Sequence, residues 1–308
     1  MKKVTFGKTN LQVSQLGFGA APIGYLDIER ERAARIMNLL LDAGVNLIDT
    51  AASYPGAEET IGETVGHRRD EFVLVSKCGT KLPDLDAPEW SAEMVTKTVD
   101  RSLRRLKTDR LDVMLLHSCG IDVLRKGEAL GALVKARDAG KVRFVGYSGD
   151  NDAAEYAAAL SDVAVVQTSV NVADQTNIDR VLPAARKNNV GVMAKRPIAN
   201  AAWKDLGEQQ GLYKSYAATY TDRLAKMKLD PAALGVPGPR DAAWPELALR
   251  FTLSQPGVHV AIIGTTNPDN ARGNLAAAEK GALPAEAVRK IRDAFRTANP
   301  DGSWIGQT

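Results

Sequence analysis

The sequence contains little cysteine, no long apolar run and no strong excess of charge of either sign. Its two cysteines, Cys78 and Cys119, are too few for a disulfide scaffold and cannot by themselves form a metal cage. No stretch approaches the roughly 18 apolar residues that a membrane-spanning helix requires. The net charge is only +3, from 40 basic and 37 acidic residues that are interleaved along the chain. We therefore expect no metal, no membrane partner and no nucleic-acid partner.

The amino terminus also lacks a recognisable export signal. The basic start of the chain is followed by residues 7–10, Gly-Lys-Thr-Asn, which interrupt any apolar signal segment. Hydrophobic residues make up 44% of the 308 residues and charged residues 25%, which is typical of a globular protein with a large core. We predict a cytoplasmic protein with reduced thiols.

Apolar runs of strand length recur eight times, with amphipathic helical stretches between them. Most are rich in Val, Leu and Ile without alternation, as in fully buried parallel strands. Eight strand–helix units in one series favour a single (β/α)8 TIM barrel over residues 1–308, with an open doubly wound sheet as the alternative. The predicted strands cover residues 16–20, 47–50, 72–77, 111–117, 142–148, 163–170, 190–195 and 258–265.

Three segments lie outside this repeat. Residues 4–14 alternate like a β-hairpin, which would cap the floor of the barrel. The long loop 197–243, after the seventh strand, is either a lid over the substrate or an ordinary surface excursion. The C-terminal tail, residues 297–308, contains Trp304, which either folds over the pocket or is an exposed anchor. The aromatic residues of the long loop include Trp203, Tyr213, Tyr216 and Tyr220.

Three ionisable residues stand at the carboxyl ends of consecutive predicted strands. They are Asp49, Lys77 and His117, and Tyr54 follows Asp49 by five residues. The working groups of (β/α)8 barrels lie at these strand ends. Taken singly, each residue has an ordinary explanation, such as a turn acceptor, an exposed lysine or a core histidine. Together they predict a site, because buried charges need partners and neighbouring strand ends supply them.

A tyrosine with its ordinary pKa of about 10 is a poor acid at neutral pH. We expect Lys77 to lower the pKa of Tyr54, Asp49 to hold the ammonium group, and His117 to orient a carbonyl oxygen beside the phenol. This arrangement suits protonation of an alkoxide. No side chain can donate a hydride, so a nicotinamide or a flavin would be required.

At these positions the sequence resembles the aldo-keto reductase superfamily. Residues 49–58, Asp-Thr-Ala-Ala-Ser-Tyr-Pro-Gly-Ala-Glu, match that family's Asp-Thr-Ala motif with its following tyrosine. Ser76-Lys77 matches its lysine strand, and residues 115–117, Leu-Leu-His, match its histidine strand. The opening stretch 11–19 also resembles the start of the family, so the resemblance runs along the whole chain.

The resemblance implies an NAD(P)H-dependent carbonyl reductase, reversible, with Tyr54 as the acid. NADPH is the expected cofactor and NADH the alternative, bound without a Rossmann domain. The absence of a Gly-x-Gly-x-x-Gly turn agrees with that. Two other functions stay open: a cofactor-binding regulatory subunit of the same barrel type, and a barrel lyase or isomerase that needs no redox cofactor. The expected partner is a small carbonyl substrate, and a monomer is the default.

The resemblance also implies cofactor contacts. Ser148 and Gln167 would bind the nicotinamide amide, although the sequence departs from the family where Gly149-Asp150 follows Ser148. After the seventh strand, where the family often places a stacking aromatic residue, this chain has Lys195-Arg196. A guanidinium can stack in place of a ring, so Arg196 is the first candidate and Lys195 the second.

The adenosine end of the cofactor would lie at the start of a helix near Pro268, where backbone N–H groups form a natural anion site. The ordinary alternative is a simple helix cap. Lysine and glutamate, which many NADPH-dependent members carry here, are replaced by Gly264 and Gly273, so that Arg272 carries the preference for NADPH. The implied contacts are Gly264, Thr265, Thr266, Asn267, Arg272 and Asn274.

Overall fold

The computed structural model describes residues 1–26, 28–209 and 212–308, with only the backbone of residues 212 and 213. Eight parallel strands close into a barrel, which confirms the predicted (β/α)8 fold. The strands are β1 (Lys3–Thr5), β2 (Gln12–Ser14), β3 (Leu16–Gly19), β4 (Leu47–Asp49), β5 (Val73–Cys78), β6 (Leu111–His117), β7 (Val142–Ser148), β8 (Val163–Ser169), β9 (Gly191–Lys195) and β10 (Val260–Ile263). Around the barrel, β3 to β9 follow chain order and β10 pairs with both β3 and β9.

Helices surround the barrel, and two of them follow its last strand in the chain. They are α1 (Ala21–Tyr25), α2 (Arg30–Asp42), α3 (Ala57–Thr64), α4 (Ala92–Arg105), α5 (Ile121–Lys126), α6 (Glu128–Asp138), α7 (Asn151–Ala159), α8 (Thr176–Asp179), α9 (Val181–Lys187), α10 (Leu212–Met227), α11 (Arg240–Leu253), α12 (Pro268–Glu279) and α13 (Ala285–Ala298). Ser91 caps α4 by accepting a hydrogen bond from the backbone N–H of Met94. None of the helices in the described ranges is both long and apolar enough to cross a membrane.

Strand periodicity sorts the side chains between the barrel interior and the helical layer. Val75, Leu115 and Met193 lie in the buried interior cluster. Because alternate residues of a strand share a face, Lys77 and His117 point toward the same interior, one step nearer the carboxyl end. The apolar interior therefore ends in a polar layer at the mouth of the barrel.

The hairpin prediction for residues 4–14 is confirmed, since β1 and β2 pair antiparallel. Phe6 is fully buried among the interior side chains, and Lys8 N–H donates to Asn189 O at 2.6 Å. Gly7 has φ +53°, and a Cβ there would lie 2.4 Å from Gly191 N. Only glycine allows this approach, by which the hairpin closes the barrel floor.

The segment 197–243 is not a loop as predicted, because it contains the 16-residue helix α10 and the start of α11 at Arg240. Ala217 and Tyr220 of α10 are fully buried in a second core that also includes Phe295. Their spacing of three residues places them on one helical face, which makes an apolar stripe for packing. The side chain of Tyr213 lies outside the described residues.

The C-terminal tail folds back onto this second core. The Trp304 ring meets the Phe295 ring edge to face, with centroids 5.2 Å apart, and the Arg223 guanidinium lies 5.3 Å from its centroid. Trp304 is half-buried, so the alternative of an exposed anchor is wrong.

Candidate active site

The centre of the site is a buried ion pair between neighbouring strands. Lys77 Nζ of β5 lies 2.8 Å from Asp49 Oδ1 of β4 and donates a second hydrogen bond to Thr50 O at 2.7 Å. Lys77 is 1% exposed and Asp49 is 4% exposed. The ion pair expected between Asp49 and Lys77 is present, so each buried charge has its partner.

Tyr54 extends from the loop between β4 and α3 toward this pair. Lys77 Nζ lies 5.1 Å from the centroid of its ring. The ring is edge-on to His117, with centroids 6.0 Å apart, and to Tyr25 of α1, with centroids 5.5 Å apart. Among residues 1–26, 28–209 and 212–308, nothing hydrogen-bonds to the Tyr54 hydroxyl, so this group is free to bond a bound molecule.

The pKa of Tyr54 is raised overall in this structure, and not lowered as predicted. Burial raises the pKa of Tyr54 well above its ordinary value, and the Asp49 carboxylate and the Tyr25 phenol raise it further. The physical reason is that Asp49 neutralises the nearby ammonium charge, so that desolvation dominates. Tyr54 therefore holds its proton firmly at neutral pH.

His117 is the last residue of β6, and its ring lies against that of Tyr54. Burial lowers the pKa of His117 well below its ordinary value, and the ammonium groups of Lys77 and Lys195 lower it further. The ring is therefore a neutral imidazole at neutral pH. Its Nδ1 lies 3.4 Å from Ser53 Oγ, a long contact whose direction depends on the tautomer.

Ser148 and Gln167 lie side by side at the ends of β7 and β8. Ser148 Oγ donates to Gln167 Oε1 at 3.0 Å, and each residue is 2% exposed. Gln167 Nε2 is buried and has no hydrogen-bond partner in the described part of the chain. A buried donor without an acceptor is costly, so a ligand oxygen at this point would be stabilised.

Lys195 ends β9 and Arg196 follows it at the same end of the barrel. Both side chains already bind other residues of the protein. Lys195 Nζ pairs with Asp150 Oδ2 at 2.7 Å. The Arg196 guanidinium lies over the Tyr216 ring, 4.6 Å from its centroid, and donates to Ser169 Oγ at 3.0 Å. It also donates to the Gln307 carbonyl of the tail. One face of the guanidinium is therefore covered by Tyr216, which makes a ready stack for a second planar group.

The predicted adenosine contacts lie at the turn from β10 into α12. Asn267 is the N-cap of α12, and its Oδ1 accepts a hydrogen bond from Asp269 N–H at 2.8 Å. Its side chain is therefore already used in the helix cap. Arg272 is exposed and pairs with Asp269 at 2.8 Å. Gly264 and Asn267 are exposed and Thr266 is half-buried, whereas Thr265 and Asn274 are buried. The segment is open to solvent at a helix N-terminus, as an anion site requires.

The sequence analysis missed a buried polar network around Asp150, next to Lys195. Asp150 Oδ1 accepts hydrogen bonds from Thr168, Ser169 and Asn177, while its Oδ2 faces Lys195. The only signal was the departure from the family pattern after Ser148. Asp174 accepts from Tyr220 OH and Gln307 N–H, both at 2.9 Å. Burial and the charge of Asp150 raise the pKa of Asp174 to about 7.

The two cysteines pack in the hydrophobic core. Both are buried. Burial raises the pKa of Cys119 to about 12 and that of Cys78 higher still. Both thiols therefore stay protonated at neutral pH, which argues against reactivity.

A model of the Aldo/keto reductase family matches residues 15–296. The chain belongs to this family. Members of the family use nicotinamide cofactors, and the unpartnered Gln167 Nε2 of this aldo/keto reductase fits the oxygen of a nicotinamide carboxamide. Ser148 donates to the Oε1 atom of the same Gln167 side chain, and the turn at residues 264–267 precedes helix α12, where a phosphate would meet backbone N–H groups.

Several relatives resemble this aldo/keto reductase along most of its length. "Uncharacterized oxidoreductase YqkF" of Bacillus subtilis is 26% identical, covering 95% of this chain and 96% of its own. L-galactose dehydrogenase of Arabidopsis thaliana is 28% identical, with 88% and 86% covered. NADH-specific methylglyoxal reductase of Escherichia coli is 24% identical, with 96% and 99% covered. Among solved structures, the holo form of aldo-keto reductase AKR11C1 from Bacillus halodurans has TM-score 0.77 and 26% identity, with 96% of each chain covered.

Proposed function

We propose that this aldo/keto reductase is an NAD(P)H-dependent carbonyl reductase that converts a small aldehyde or ketone to the alcohol, reversibly. The observation that carries the proposal is the position of Tyr54. Its hydroxyl has no hydrogen-bond partner in the described part of the chain, and its ring lies against both the buried Lys77–Asp49 pair and the neutral His117. A proton donor, a cation and a hydrogen-bond donor thus meet at the mouth of the barrel.

The residues divide the work as follows in the reducing direction. A bound nicotinamide cofactor supplies the hydride, which no side chain offers. The neutral His117 orients the carbonyl oxygen beside the Tyr54 hydroxyl through a hydrogen bond. Tyr54 gives its proton to the oxygen as negative charge develops there. Lys77, held by Asp49, then stabilises the phenolate that remains.

The names of relatives narrow the substrate class and leave the cofactor to experiment. A methylglyoxal reductase and an L-galactose dehydrogenase act on small, polar carbonyl or hydroxyl compounds, in opposite directions by name. We propose a substrate of that class, with NADPH ahead of NADH because of Arg272. Asp269, which pairs with Arg272, would have to share it with the 2′-phosphate.

The proposal includes a monomer acting in the cytoplasm, and gel filtration of the purified protein tests the oligomeric state.

The test combines cofactor binding with turnover. Purified protein is titrated with NADPH and NADH by fluorescence, and loss of reduced-nicotinamide absorbance is followed with a panel of small aldehydes and ketones. Tyr54→Phe should abolish turnover and leave cofactor affinity unchanged, whereas Tyr156→Phe, on helix α7, should behave like wild type. Turnover by Tyr54→Phe at the wild-type rate would refute the assignment of the acid. Binding without any turnover would favour a regulatory subunit, and no binding would favour a lyase or isomerase.

A further inference from the structure

A buried arginine from a neighbouring helix holds the loop that carries Tyr54. Arg101 lies on α4 and is 6% exposed. Its NH1 donates to Ala52 O at 3.0 Å, and its Nε donates to Asp84 Oδ2 at 2.7 Å. Ala52 belongs to residues 50–56, the segment between β4 and α3, which we call the tyrosine loop. A charged side chain of the helical layer thus bonds the backbone of this loop.

The same arginine faces a buried carboxylate that binds the lysine strand. Glu58 stands at the start of α3, just after the tyrosine loop, and is 1% exposed. Its Oε1 accepts a hydrogen bond from Ser76 Oγ at 2.7 Å, and its Oε2 lies 3.7 Å from Arg101 NH1. Ser76 directly precedes Lys77 on β5. Glu58 and Arg101 together therefore connect both ends of the tyrosine loop to the strand that carries the catalytic lysine.

Backbone hydrogen bonds join the start of the tyrosine loop to β5. Ala52 N–H donates to Lys77 O at 3.2 Å, and Thr50 N–H donates to Val75 O at 2.8 Å. Beyond Ala52, the backbone bonds of Tyr54 are local to the loop, with its N–H donating to Ala51 O. Within the described residues, the carbonyl of Ala52 is therefore the last backbone group before Tyr54 that takes part in a long-range hydrogen bond.

We propose that Arg101 is a positioning residue for the reductase reaction, which fixes Tyr54 through the Ala52 carbonyl and is itself oriented by Glu58 and Asp84. This inference rests on the proposed function. Burying a guanidinium and a carboxylate is expensive, and apolar residues of similar volume would pack α3 on α4 at least as stably. What Arg101 and Glu58 add is therefore a fixed position for the tyrosine loop. A displacement of about 1 Å at a reacting group can reduce a rate about 100-fold.

The experiment compares Arg101→Ala with Arg104→Ala, an exposed position on the same helix. For Arg101→Ala we expect kcat to fall by about 10-fold to 100-fold, with KM for the cofactor nearly unchanged, since the cofactor contacts lie elsewhere. Millimolar guanidinium should restore part of kcat, whereas sodium chloride at the same concentration should not. Arg104→Ala should match wild type in every measurement.

A purely structural role for Arg101 predicts a different pattern. Lower stability with wild-type kcat per folded molecule, or a loss of kcat that guanidinium does not restore, would overturn the proposal. If Arg101→Ala does not fold, Arg101→Lys and Glu58→Gln take its place, and both should show a reduced kcat with faster hydrogen exchange at the amides of residues 52–54. Wild-type exchange and kcat in both would equally overturn it. Absence of turnover by the wild-type protein would reject the proposed function itself, and the positioning role with it.

Discussion

Lys77 Nζ and Asp49 Oδ1 lie 2.8 Å apart in a pair of side chains that are almost entirely removed from solvent. Removing one partner of such a pair leaves a buried charge uncompensated, whereas removing both charges does not. The pair therefore has separable effects on stability and on catalysis.

Asp49→Asn should lower the free energy of unfolding by about 3–5 kcal/mol, because the buried ammonium loses its counter-charge. The double variant Asp49→Asn with Lys77→Met should recover much of that loss and remain inactive. Urea unfolding measures the first effect and turnover the second. Glu93→Gln is the matched control, since the exposed Glu93–Lys97 pair should contribute about 0.5 kcal/mol or less. If the double variant is as unstable as Asp49→Asn, the loss of unfolding free energy is due to altered packing and not to the unpaired charge.

The lowered pKa of His117 predicts a pH dependence of stability. Below the ordinary histidine pKa of about 6.5, the unfolded chain binds a proton that the folded protein does not. Stability therefore falls as the pH decreases from there, with a slope of up to about 1.4 kcal/mol per pH unit from this residue. His117→Gln should reduce that slope in urea unfolding between about pH 6.5 and pH 5.

The control for this prediction is His67→Gln, because His67 is exposed. Its stability should follow the wild-type dependence on pH. Parallel curves for wild type and His117→Gln would mean that His117 binds its proton in the folded protein as readily as in the unfolded chain. In that event the lowered pKa of His117 would be refuted.

The parts of the site that depend on local pattern were predictable from the sequence. Strand ends and motif order placed Asp49, Lys77 and His117 together, because parallel strands of a barrel deliver their carboxyl ends to one face. The pKa of Tyr54 was not predictable, since it depends on how completely Asp49 neutralises the ammonium group and on burial. The pairing of Lys195 with Asp150 was also missed, because the two residues are distant in sequence and share no periodicity.

The contacts of the C-terminal tail were also not predictable from a sequence pattern. Gly306 exchanges two hydrogen bonds with Asn151, its N–H donating at 2.8 Å and its carbonyl accepting at 3.0 Å. The next residue, Gln307, donates to Asp174 and accepts from Ser169 and Arg196. These contacts are mostly made by the tail backbone, which explains why side-chain types gave no signal for them.

Gly306→Val should detach this tail, because a Cβ at residue 306 would lie 2.7 Å from Asn177 Nδ2 and 3.0 Å from Asp150 Cβ. Both neighbours belong to the buried network and cannot yield easily. We expect a loss of about 1–3 kcal/mol in the free energy of unfolding. Trp304 should leave Phe295 and become exposed, which shifts its fluorescence emission to longer wavelength. Gly131→Val, at a helical position with open space around it, should show neither change. Wild-type stability and emission in Gly306→Val would mean that the tail does not pack against Asp150 in solution, and that Arg196 is then free of Gln307.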